Sequence, residues 1–311
     1  MTCDLLALAD WLNECGVTHV AMEATGVYWK PVWNILEGHV PEMLLVNAQH
    51  VKAVPGRKTD QKDAEWLADL LQHGLLRSSF IPPVPIRELR DVTRLRVSVV
   101  EDLNRVTCRI QKVLEDANVK LASVASDTVG ASGRAMLQAM ISGQPNADEL
   151  AEMARGKLRR KLPELRTALQ GKVTDHHRFL LKQLLTWLRF LELQLNDLEA
   201  EIARKLAADA EQIDRLCTIP GVDRVTACGL VAEIGLDMNR FPSAHHLASW
   251  AGLCPGNCES AGKRLSGTTR KGNPAVRRCL CQLLGLSLKP GITIYLPASI
   301  ESLGEGAVNG P

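Results

Sequence analysis

The sequence predicts an α/β domain at the N-terminus, followed by a longer all-helical part. Two short apolar runs, residues 17–23 (VTHVAME) and 42–49 (EMLLVNAQ), have the length and composition of buried strands. A helical pattern from about Tyr28 to Glu37 joins them, and an amphipathic helix over residues 2–15 precedes them. Short links between these elements favour a βαβ unit with parallel strands.

Composition narrows the class of protein. At 311 residues, of which 46% are hydrophobic, the chain is long enough for two or more domains. No apolar run reaches the roughly 18 residues of a membrane span, and no signal-peptide pattern is present, so we expect a soluble, cytoplasmic protein with no membrane partner. The net charge is only +2, so any affinity for nucleic acid must come from local patches.

Nine scattered cysteines do not form a disulfide framework, and a cytosolic protein would keep them reduced. Cys254 and Cys258 lie near His245 and His246, but the spacing matches no standard zinc pair. We therefore interpret these cysteines as packing residues.

The segment KTDQKDAEWLADLLQHG, residues 58–74, predicts a helix that carries two carboxylates in its first turn. Asp60 and Asp63 are three residues apart and share a face, Thr59 can cap the helix, and the apolar side consists of Trp66, Leu67, Leu70 and Leu71. Glu23 ends the first strand, at the edge where open α/β sheets place their ligands. Three acids brought together there suit a divalent cation, whereas helix capping alone would also explain Asp60 and Asp63.

Two segments predict long helices with coiled-coil spacing. In residues 87–118 the apolar positions recur at steps of three and four: Val92, Leu95, Val99, Leu103, Val106, Ile110, Val113 and Ala117. A second set repeats this rhythm: Leu180, Leu184, Trp187, Leu191, Leu195, Leu198 and Ile202. We expect these helices to pair antiparallel within one chain or to pair between subunits.

The segment between the long helices, residues 119–172, predicts short helices near 132–141 and 146–154. It also contains a basic run opposed in sequence only by Glu164: Arg155, Lys157, Arg159, Arg160, Lys161, Arg166 and Lys172. Such a run is either a solvated face or a surface that contacts phosphates.

Residues 212–234 predict two helices around a Pro-Gly turn, as in a helix-hairpin-helix, in which backbone N–H groups bind a phosphate. Asp223 stands where a glycine is usual and puts a negative charge near that position. A plain αα-hairpin is the alternative.

Residues 241–284 combine a serine, glycines and many cations. Ser260 lies in ESAGK, and the cations suited to phosphate binding are Lys263, Arg264, Arg270, Lys271, Arg277 and Arg278. Gly262, Gly267 and Gly272 let the backbone approach a ligand closely. Ser266, Thr268 and Thr269 are rival hydroxyl groups.

EATGVYWKP, followed by NAQHVKAVPGRKTDQKDAEWLADLL, resembles the N-terminal domain of the DEDD insertion-sequence transposases, the group guided by a bridge RNA. Residues 241–284 resemble the C-terminal domain of the same family. The resemblance implies an incomplete RNase H/RuvC-like domain (residues 1–82), a helical coiled-coil region (83–210), a helical C-terminal transposase domain with a helix-hairpin-helix-like segment (211–288) and an irregular tail (289–311).

The resemblance also implies a mechanism. Glu23, Asp60 and Asp63 match three of the four family acids that hold Mg²⁺, and Ser260 matches the nucleophilic serine. The implied activity is cleavage and rejoining of DNA strands, the implied partners are DNA and a guide RNA, and the implied assembly is a homo-oligomer, either a dimer or a tetramer, in which one subunit's serine meets another's acids.

Three departures from the family pattern keep other functions open. The first family acid has no counterpart, Ala261 replaces a common glycine, and the tail is rich in Pro and Gly, so we expect a chain truncated at both ends. One alternative is a catalytically impaired, nucleic-acid-binding remnant of such a transposase. Another is a RuvC-like nuclease that uses metal and water, in which Ser260 takes no part.

Overall fold

The computed structural model describes residues 2–47, 60–143, 146–254, 258–260, 263–266 and 272–287, with the side chains of 258–266 and 282–287 left aside. The chain divides into two compact units, Met1–Pro83 and Val84–Pro311. The division of the second unit into residues 83–210, 211–288 and 289–311 stays a prediction.

The first unit contains the elements predicted from the apolar pattern. In chain order they are α1 (Thr2–Glu14), β1 (His19–Glu23), α2 (Trp29–Leu36), β2 (Glu42–Val46) and α3 (Asp60–Gln72). Helix α1 is followed by Gly16, whose φ of 63° suits glycine, and the Val17 N–H donates to the Leu12 carbonyl oxygen to close the helix. Strand β1 therefore begins two residues later than the sequence predicts.

Strands β1 and β2 are parallel, as predicted, with His19 opposite Glu42 and Glu23 opposite Val46. Their small core is formed with the two helices α1 and α2, through Ala9, Leu12, Leu36 and Val40. The chain after α3 also reaches this sheet: the Ser79 N–H donates to the Leu45 carbonyl oxygen at 2.6 Å, beside an antiparallel bridge between Val46 and Ser78. This contact supplies β2 with a second neighbour that the sequence pattern does not predict.

The second unit is almost entirely helical. Its first helices are α4 (Val84–Asp116), α5 (Leu121–Val124), α6 (Ala131–Ser142), α7 (Ala147–Glu152), α8 (Leu162–Ala168) and α9 (Asp175–Lys205). The remaining elements are α10 (Ala210–Cys217), α11 (Arg224–Ile234), α12 (Ala244–Trp250), β3 (Cys258–Ser260), β4 (Lys263–Ser266) and α13 (Pro274–Ser287). The predicted helices near 132–141 and 146–154 are thus confirmed as α6 and α7.

Helices α4 and α9 pack antiparallel within one chain, which confirms one of the two predicted pairings. Lys205 Nζ lies 2.7 Å from Glu88 Oε2 at one end, and His177 Nε2 lies 2.8 Å from Asp116 Oδ2 at the other. Between them, Arg96 Nη2 lies 2.6 Å from Glu199 Oε1. Low residue numbers on α4 therefore meet high residue numbers on α9.

The predicted core register of α9 is partly wrong. Leu181, Leu185 and Leu188 are buried, whereas Trp187, predicted to face the core, is exposed. The sequence contains leucine doublets at 180–181 and 184–185, so two apolar stripes one residue apart fit the spacing equally well. Packing against α4 and α6 selects the second stripe. Leu95 on α4 is also exposed, against prediction.

The C-terminal segment departs from the predicted all-helical domain, because β3 and β4 form an antiparallel pair with a register shift next to Cys258. Lys263 and Ser260 are neighbours in this pair. Among the described residues, no helix combines the length and the apolarity needed to cross a lipid bilayer. The predicted irregular tail, residues 289–311, lies outside the described residues.

Candidate active site

Glu23 is the last residue of β1 and lies at the carboxyl end of the parallel pair. Its Oε1 accepts a hydrogen bond from Thr25 Oγ1 at 2.7 Å, and the next residue, Ala24, donates its N–H to the Val46 carbonyl oxygen at 2.8 Å. The side chain is half-buried. A threonine hydroxyl thus orients one oxygen of a carboxylate at the sheet edge where α/β proteins bind ligands.

Asp60 and Asp63 lie in the first turn of α3, as predicted, and α3 packs against β1. Asp60 is exposed and Asp63 is half-buried. The predicted cap, Thr59, lies outside the described residues. A carboxylate at this position complements the positive end of the helix dipole, so the site is electrostatically suited to hold two acids close together.

Carboxylate oxygens are ligands that Mg²⁺ prefers, so the donor set of Glu23, Asp60 and Asp63 fits a magnesium ion in chemical type. The geometry does not form a ready ligand cage. Within the described ranges, no three His, Cys, Asp or Glu side chains are grouped closely enough to hold an ion. The convergence of the three acids on one cation therefore stays a prediction.

Ser260, the predicted nucleophile, is the last residue of β3 and stands opposite Lys263 at the first position of β4. Arg264 stands opposite Glu259 in the same pair. The backbone thus brings the predicted serine and two predicted cations into one short hairpin. Two further cations predicted in this segment, Arg270 and Lys271, lie outside the described residues.

The residues that precede and follow the hairpin of β3 and β4, which contains Ser260, are held against each other by close backbone packing. A Cβ atom at Gly272 would lie 2.3 Å from the Gly252 nitrogen and 2.4 Å from the Ala251 carbonyl carbon, far inside van der Waals contact. Arg277 Nη2 donates to the Gly252 carbonyl oxygen at 2.7 Å. Only glycine fits at position 272, because its backbone packs against the protein's own backbone; the predicted close approach of this residue to a ligand stays a prediction.

Glu233, which the sequence reasoning missed, ties this region to α4. Its side chain is 2% exposed. Arg94 binds it through two parallel hydrogen bonds, Nε to Oε1 at 2.8 Å and Nη2 to Oε2 at 2.9 Å. Arg90 Nε lies 3.3 Å from Oε2, and Asn273 Nδ2 donates to Oε2 at 2.6 Å. The buried charge is therefore paired and hydrogen-bonded on both oxygens.

Arg90 also fixes the end of α11. Its Nε donates to the Ala232 carbonyl oxygen at 3.2 Å and its Nη2 to the Glu233 carbonyl oxygen at 2.6 Å. Burial lowers the pKa of the Arg90 guanidinium, and the charge of Glu233 opposes that shift. The sequence signal for this cluster was a single acid, Glu233, inside the otherwise apolar helix segment ACGLVAEI.

The last two predicted phosphate-binding cations have protein partners. Arg277 is half-buried and bonds to Gly252, while Arg278 Nη1 lies 3.0 Å from Glu101 Oε1 at an exposed pair. Arg278 also borders a groove of about 960 Å³ between α4, α9, α11 and α13. The other arginines along this groove face acids as well: Arg94, Arg96 and Arg224 pair with Glu233, Glu199 and Asp214. Because these arginines are paired with acids, the net charge of the groove is close to zero.

Helices α10 and α11 form the hairpin predicted for residues 212–234, and its turn carries an acid. Asp223 caps α11: its Oδ1 accepts from the Thr226 N–H at 2.8 Å, and hydrogen bonding from Thr226 lowers the pKa of the Asp223 carboxyl. The Asp223 carboxylate thus already accepts one of the N–H groups, that of Thr226, that a phosphate at this helix start would use. This observation favours the plain αα-hairpin over a phosphate-binding helix-hairpin-helix.

The basic run between the long helices is opposed by more acids than its sequence suggests. Glu152 pairs with Arg159 and Arg166, and Asp148 pairs with Arg166. Both acids come from α7, which packs against α8. The expectation that Glu164 alone opposes the run is therefore wrong, and part of the run serves as a solvated, paired face.

Comparisons with known proteins define the class. Residues 2–119 match a family model described as a transposase, of the DEDD kind found in IS110 elements, and residues 213–289 match the model of the IS116/IS110/IS902 transposase family. Both matched segments are thus similar to transposases of this kind, which supports the resemblance at the level of the family. The RuvC-like character and the guide RNA stay predictions.

Two relatives are transposases of named insertion sequences. The transposase for insertion sequence element IS1111A of Coxiella burnetii (strain RSA 493 / Nine Mile phase I) is 24% identical over 240 residues, which are 76% of this chain and 57% of that protein. The transposase for insertion sequence element IS1328 of Yersinia enterocolitica is 34% identical over 90 residues, which are 29% of this chain and 26% of that protein. The chain therefore spans a little over half of one relative and about a quarter of the other.

Proposed function

We propose that this chain acts as the transposase of an insertion sequence and cuts and rejoins DNA strands. The observation that carries this proposal is that one chain contains both transposase segments, residues 2–119 and 213–289. The first segment holds the three predicted acids and the second holds Ser260 within a basic hairpin. Each half of the predicted catalytic set thus lies in a segment of matching type.

In this proposal Glu23, Asp60 and Asp63 hold Mg²⁺. The hard oxygen donors, the position of Glu23 at the carboxyl end of β1 and the packing of α3 against β1 support the assignment. A bound magnesium ion would supply positive charge that stabilises the charge developing on a DNA phosphate. The protein's own part is to orient Glu23, through the Thr25 hydroxyl, and to keep Asp60 and Asp63 on one helical face.

Ser260 is the proposed nucleophile. Its Oγ forms a bond to a DNA phosphorus, the bond from that phosphorus to one sugar oxygen breaks, and the released sugar hydroxyl gains a proton in place of the one that serine loses. A hydroxyl of a second strand then reverses the step and rejoins DNA. The cations predicted for this segment, among them Lys263, Arg264, Arg270 and Lys271, balance the charge of the phosphates.

The proposed partners are target DNA, a guide RNA and further copies of the chain. The modest net charge of +2 supports local recognition, because a chain without a broad basic field must bind nucleic acid through confined patches. The basic serine hairpin is such a patch. A homo-oligomer would allow the serine of one copy to act with the acids of another.

A supercoiled plasmid that carries the insertion sequence with its flanks tests this function, in the presence of Mg²⁺ and RNA transcribed from the same plasmid. We expect a covalent protein–DNA adduct that withstands denaturation and disappears in Ser260→Ala. Ser266→Ala, a change of a rival serine in the same hairpin, is the matched control and should keep the adduct. Cleavage that persists in Ser260→Ala would instead indicate a nuclease that uses water, and binding without cleavage would indicate a nucleic-acid-binding remnant.

The acids are tested by metal binding as well as by cleavage. Asp63→Asn should weaken Mg²⁺ binding in a calorimetric titration and lower adduct formation, because a neutral amide is a poorer ligand than a carboxylate. Asp69→Asn changes an exposed acid further along α3 and should leave both measurements unchanged. If the two variants behave alike in both measurements, Asp63 is not a ligand of the metal.

A further inference from the structure

Two exposed apolar side chains follow strand β1. Val27 is 64% exposed and Tyr28 is 80% exposed, the highest value among the large apolar and aromatic side chains of the described residues. Single exposed apolar residues are common on protein surfaces, so exposure by itself assigns no role. The function proposed above uses Glu23 of the same segment, EATGVYWKP, and gives Tyr28 no part.

A tight turn over residues 25–28 holds Tyr28 close to Glu23. The Tyr28 N–H donates to the Thr25 carbonyl oxygen at 3.4 Å, and Gly26, the second residue of the turn, has a φ of 54°, which favours glycine. The first and last Cα atoms of such a turn lie less than about 7 Å apart. Thr25 is also the residue whose hydroxyl donates to Glu23. One short turn therefore connects the carboxylate at the end of β1 to the exposed aromatic ring.

The ring of Tyr28 lies beside this turn and has no aromatic partner. A Cβ atom at Gly26 would lie 3.6 Å from both Cδ2 and Cε2 of Tyr28, so one edge of the ring lies beside the backbone of the turn. Within the described part of the chain, no other ring packs on Tyr28 and its hydroxyl makes no hydrogen bond. Its neighbour differs, because Trp29 packs edge-on against Trp33 at 6.1 Å between ring centroids. Tyr28 thus offers a flat surface that the fold itself does not use.

The ring lies within reach of a nucleotide at the acid site. In the proposed function Glu23 is one of the acids at which a DNA phosphate binds. A base is joined to its phosphate through a single sugar, so a phosphate at this sheet edge brings bases close to the turn that follows β1. Aromatic side chains stack on every base, because each base has a π-face. Tyrosine also loses little conformational entropy when it is held in place.

The ligand of such a ring is an unpaired base. In a duplex both faces of a base are covered by its neighbours, so a protein ring stacks on a base that has left the helix or belongs to a single strand. Rejoining a cut strand to a new partner requires that base pairs beside the cut open. Unpaired bases are therefore present where the proposed reaction takes place.

Other roles fit Tyr28 less well. A protein partner seated on Val27 and Tyr28 would cover the carboxyl end of β1 and compete with DNA for it. A purely structural role does not fit either, because a ring that is 80% exposed buries little apolar surface.

We propose that Tyr28 is a stacking platform for one unpaired base of the DNA, next to the phosphate that binds at the acid site. The inference rests on the proposed function, since it takes its ligand from the DNA at that site. Stacking itself does not require that the chain cut DNA. Val27 extends the apolar surface beside the ring, and the platform accepts any base.

The fluorescence of 2-aminopurine, an adenine analogue whose emission falls when it stacks, tests the platform in the full chain. A short single-stranded DNA that contains the analogue should be quenched by the unchanged chain. Tyr28→Ala should abolish most of the quenching and raise the Kd by about fivefold to a hundredfold, the range that corresponds to one lost aromatic–base stack. Tyr28→Phe keeps the ring and should behave like the unchanged chain, whereas Tyr28→Leu keeps an apolar side chain without a ring and should behave like Tyr28→Ala.

Trp11→Ala is the matched control. Trp11 is an aromatic residue of the same unit and is 57% exposed, but it lies on α1, whose last turn leads to the amino end of β1, away from Glu23. This variant should keep both the quenching and the Kd. Far-ultraviolet circular dichroism checks that all variants stay folded. Quenching that persists in Tyr28→Ala or Tyr28→Leu would overturn the proposal.

Photochemical cross-linking locates the stacked base. 5-Iodouracil, placed in the same oligonucleotide, forms a covalent bond on irradiation with an aromatic ring that stacks on it. Mass spectrometry should find the adduct on the peptide that contains Tyr28, and Tyr28→Ala should remove it. Adducts confined to other peptides would show that the base stacks elsewhere and would exclude this platform.

The outcomes separate this inference from the proposed function. Stacking on Tyr28 without any Ser260 adduct would disprove the proposed function and leave the platform standing. In a chain that does form the adduct, Tyr28→Ala should raise the KM for DNA and change kcat little, because a stack that is kept throughout the reaction stabilises the bound state and the transition state equally. A KM that stays the same would remove Tyr28 from the site and leave the proposed function intact.

Discussion

Asn273 Nδ2 donates a hydrogen bond of 2.6 Å to Glu233 Oε2, a residue 40 positions earlier in the chain. The other side-chain atom of Asn273, Oδ1, accepts from the Ala275 N–H at 2.9 Å at the start of α13. One amide therefore links a buried carboxylate to the first turn of the helix that follows the serine hairpin. Because Arg90 and Arg94 bind the same carboxylate, α4, α11 and α13 meet at Glu233.

Glu233→Gln should lower the free energy of unfolding of the second unit by about 3 kcal/mol, because it leaves Arg90 and Arg94 without their buried counter-charge. Urea unfolding followed by circular dichroism measures the loss. Glu101→Gln, which removes the exposed partner of Arg278, is the control and should cost less than about 1 kcal/mol. Similar losses in the two variants would contradict the central position of Glu233.

Gly272→Ala should destabilise the second unit by about 1–3 kcal/mol, because the added methyl group meets the backbone of Ala251 and Gly252. Thermal unfolding gives the difference. Gly143→Ala is the matched control, since a Cβ atom there meets nothing within 4 Å, and it should change stability little. An equally stable Gly272→Ala variant would show that the residues before and after the hairpin of β3 and β4 do not pack this closely.

Asp223 should make stability depend on pH in acid. Hydrogen bonding from Thr226 lowers its pKa in the folded chain, so the unfolded chain binds a proton first as the pH falls. The stabilising contribution is complete above about pH 5, where Asp223 is ionised in both states, and is lost as the pH falls through the folded-state pKa. Asp223→Asn keeps a capping side chain but should lose less stability between about pH 5 and pH 2, as measured by urea midpoints. Parallel curves for the two proteins would argue against an ionised cap.

Leu188→Ala should cost about 2–5 kcal/mol, because Leu188 is 1% exposed and the change leaves a cavity in the core that α9 shares with α4. Leu95→Ala, the same change at an exposed position of α4, should cost much less. The coiled-coil pattern of the sequence places Leu95 in the core and Leu188 outside it, so unfolding measurements on this pair decide the register. A larger loss for Leu95→Ala would support the sequence pattern over the structure.

The order and type of the elements in the first unit follow from the sequence because each depends on local patterns. The apolar runs at 17–23 and 42–49 give β1 and β2. The link between them, residues 24–41, is long enough for a crossover and carries a helical pattern, which predicts parallel strands. The bridge between Val46 and Ser78 was not predictable, since it joins segments separated by more than thirty residues and follows no local signal.

The residues of the candidate site also fall into those that the sequence predicts and those that it does not. Asp60, Asp63 and Ser260 stand out because short motifs surround them. Glu233 does not, because its importance comes from arginines of α4 and from Asn273, which approach it from distant parts of the chain. The lone acid in the apolar segment ACGLVAEI was the available clue, since a charge there must be paired when the helix is buried.

By itself, the sequence determined the elements of the first unit, the two long helices with α6 and α7, and the two transposase-like segments, while it left open whether the long helices pair within one chain or between subunits. These depend on spacing and composition within short windows. Only the tertiary structure decided which leucine stripe of α9 enters the core, which acids neutralise the basic run, and that a buried glutamate joins three helices. Such outcomes depend on which distant side chains compete for the same space and charge, and no local pattern contains that information.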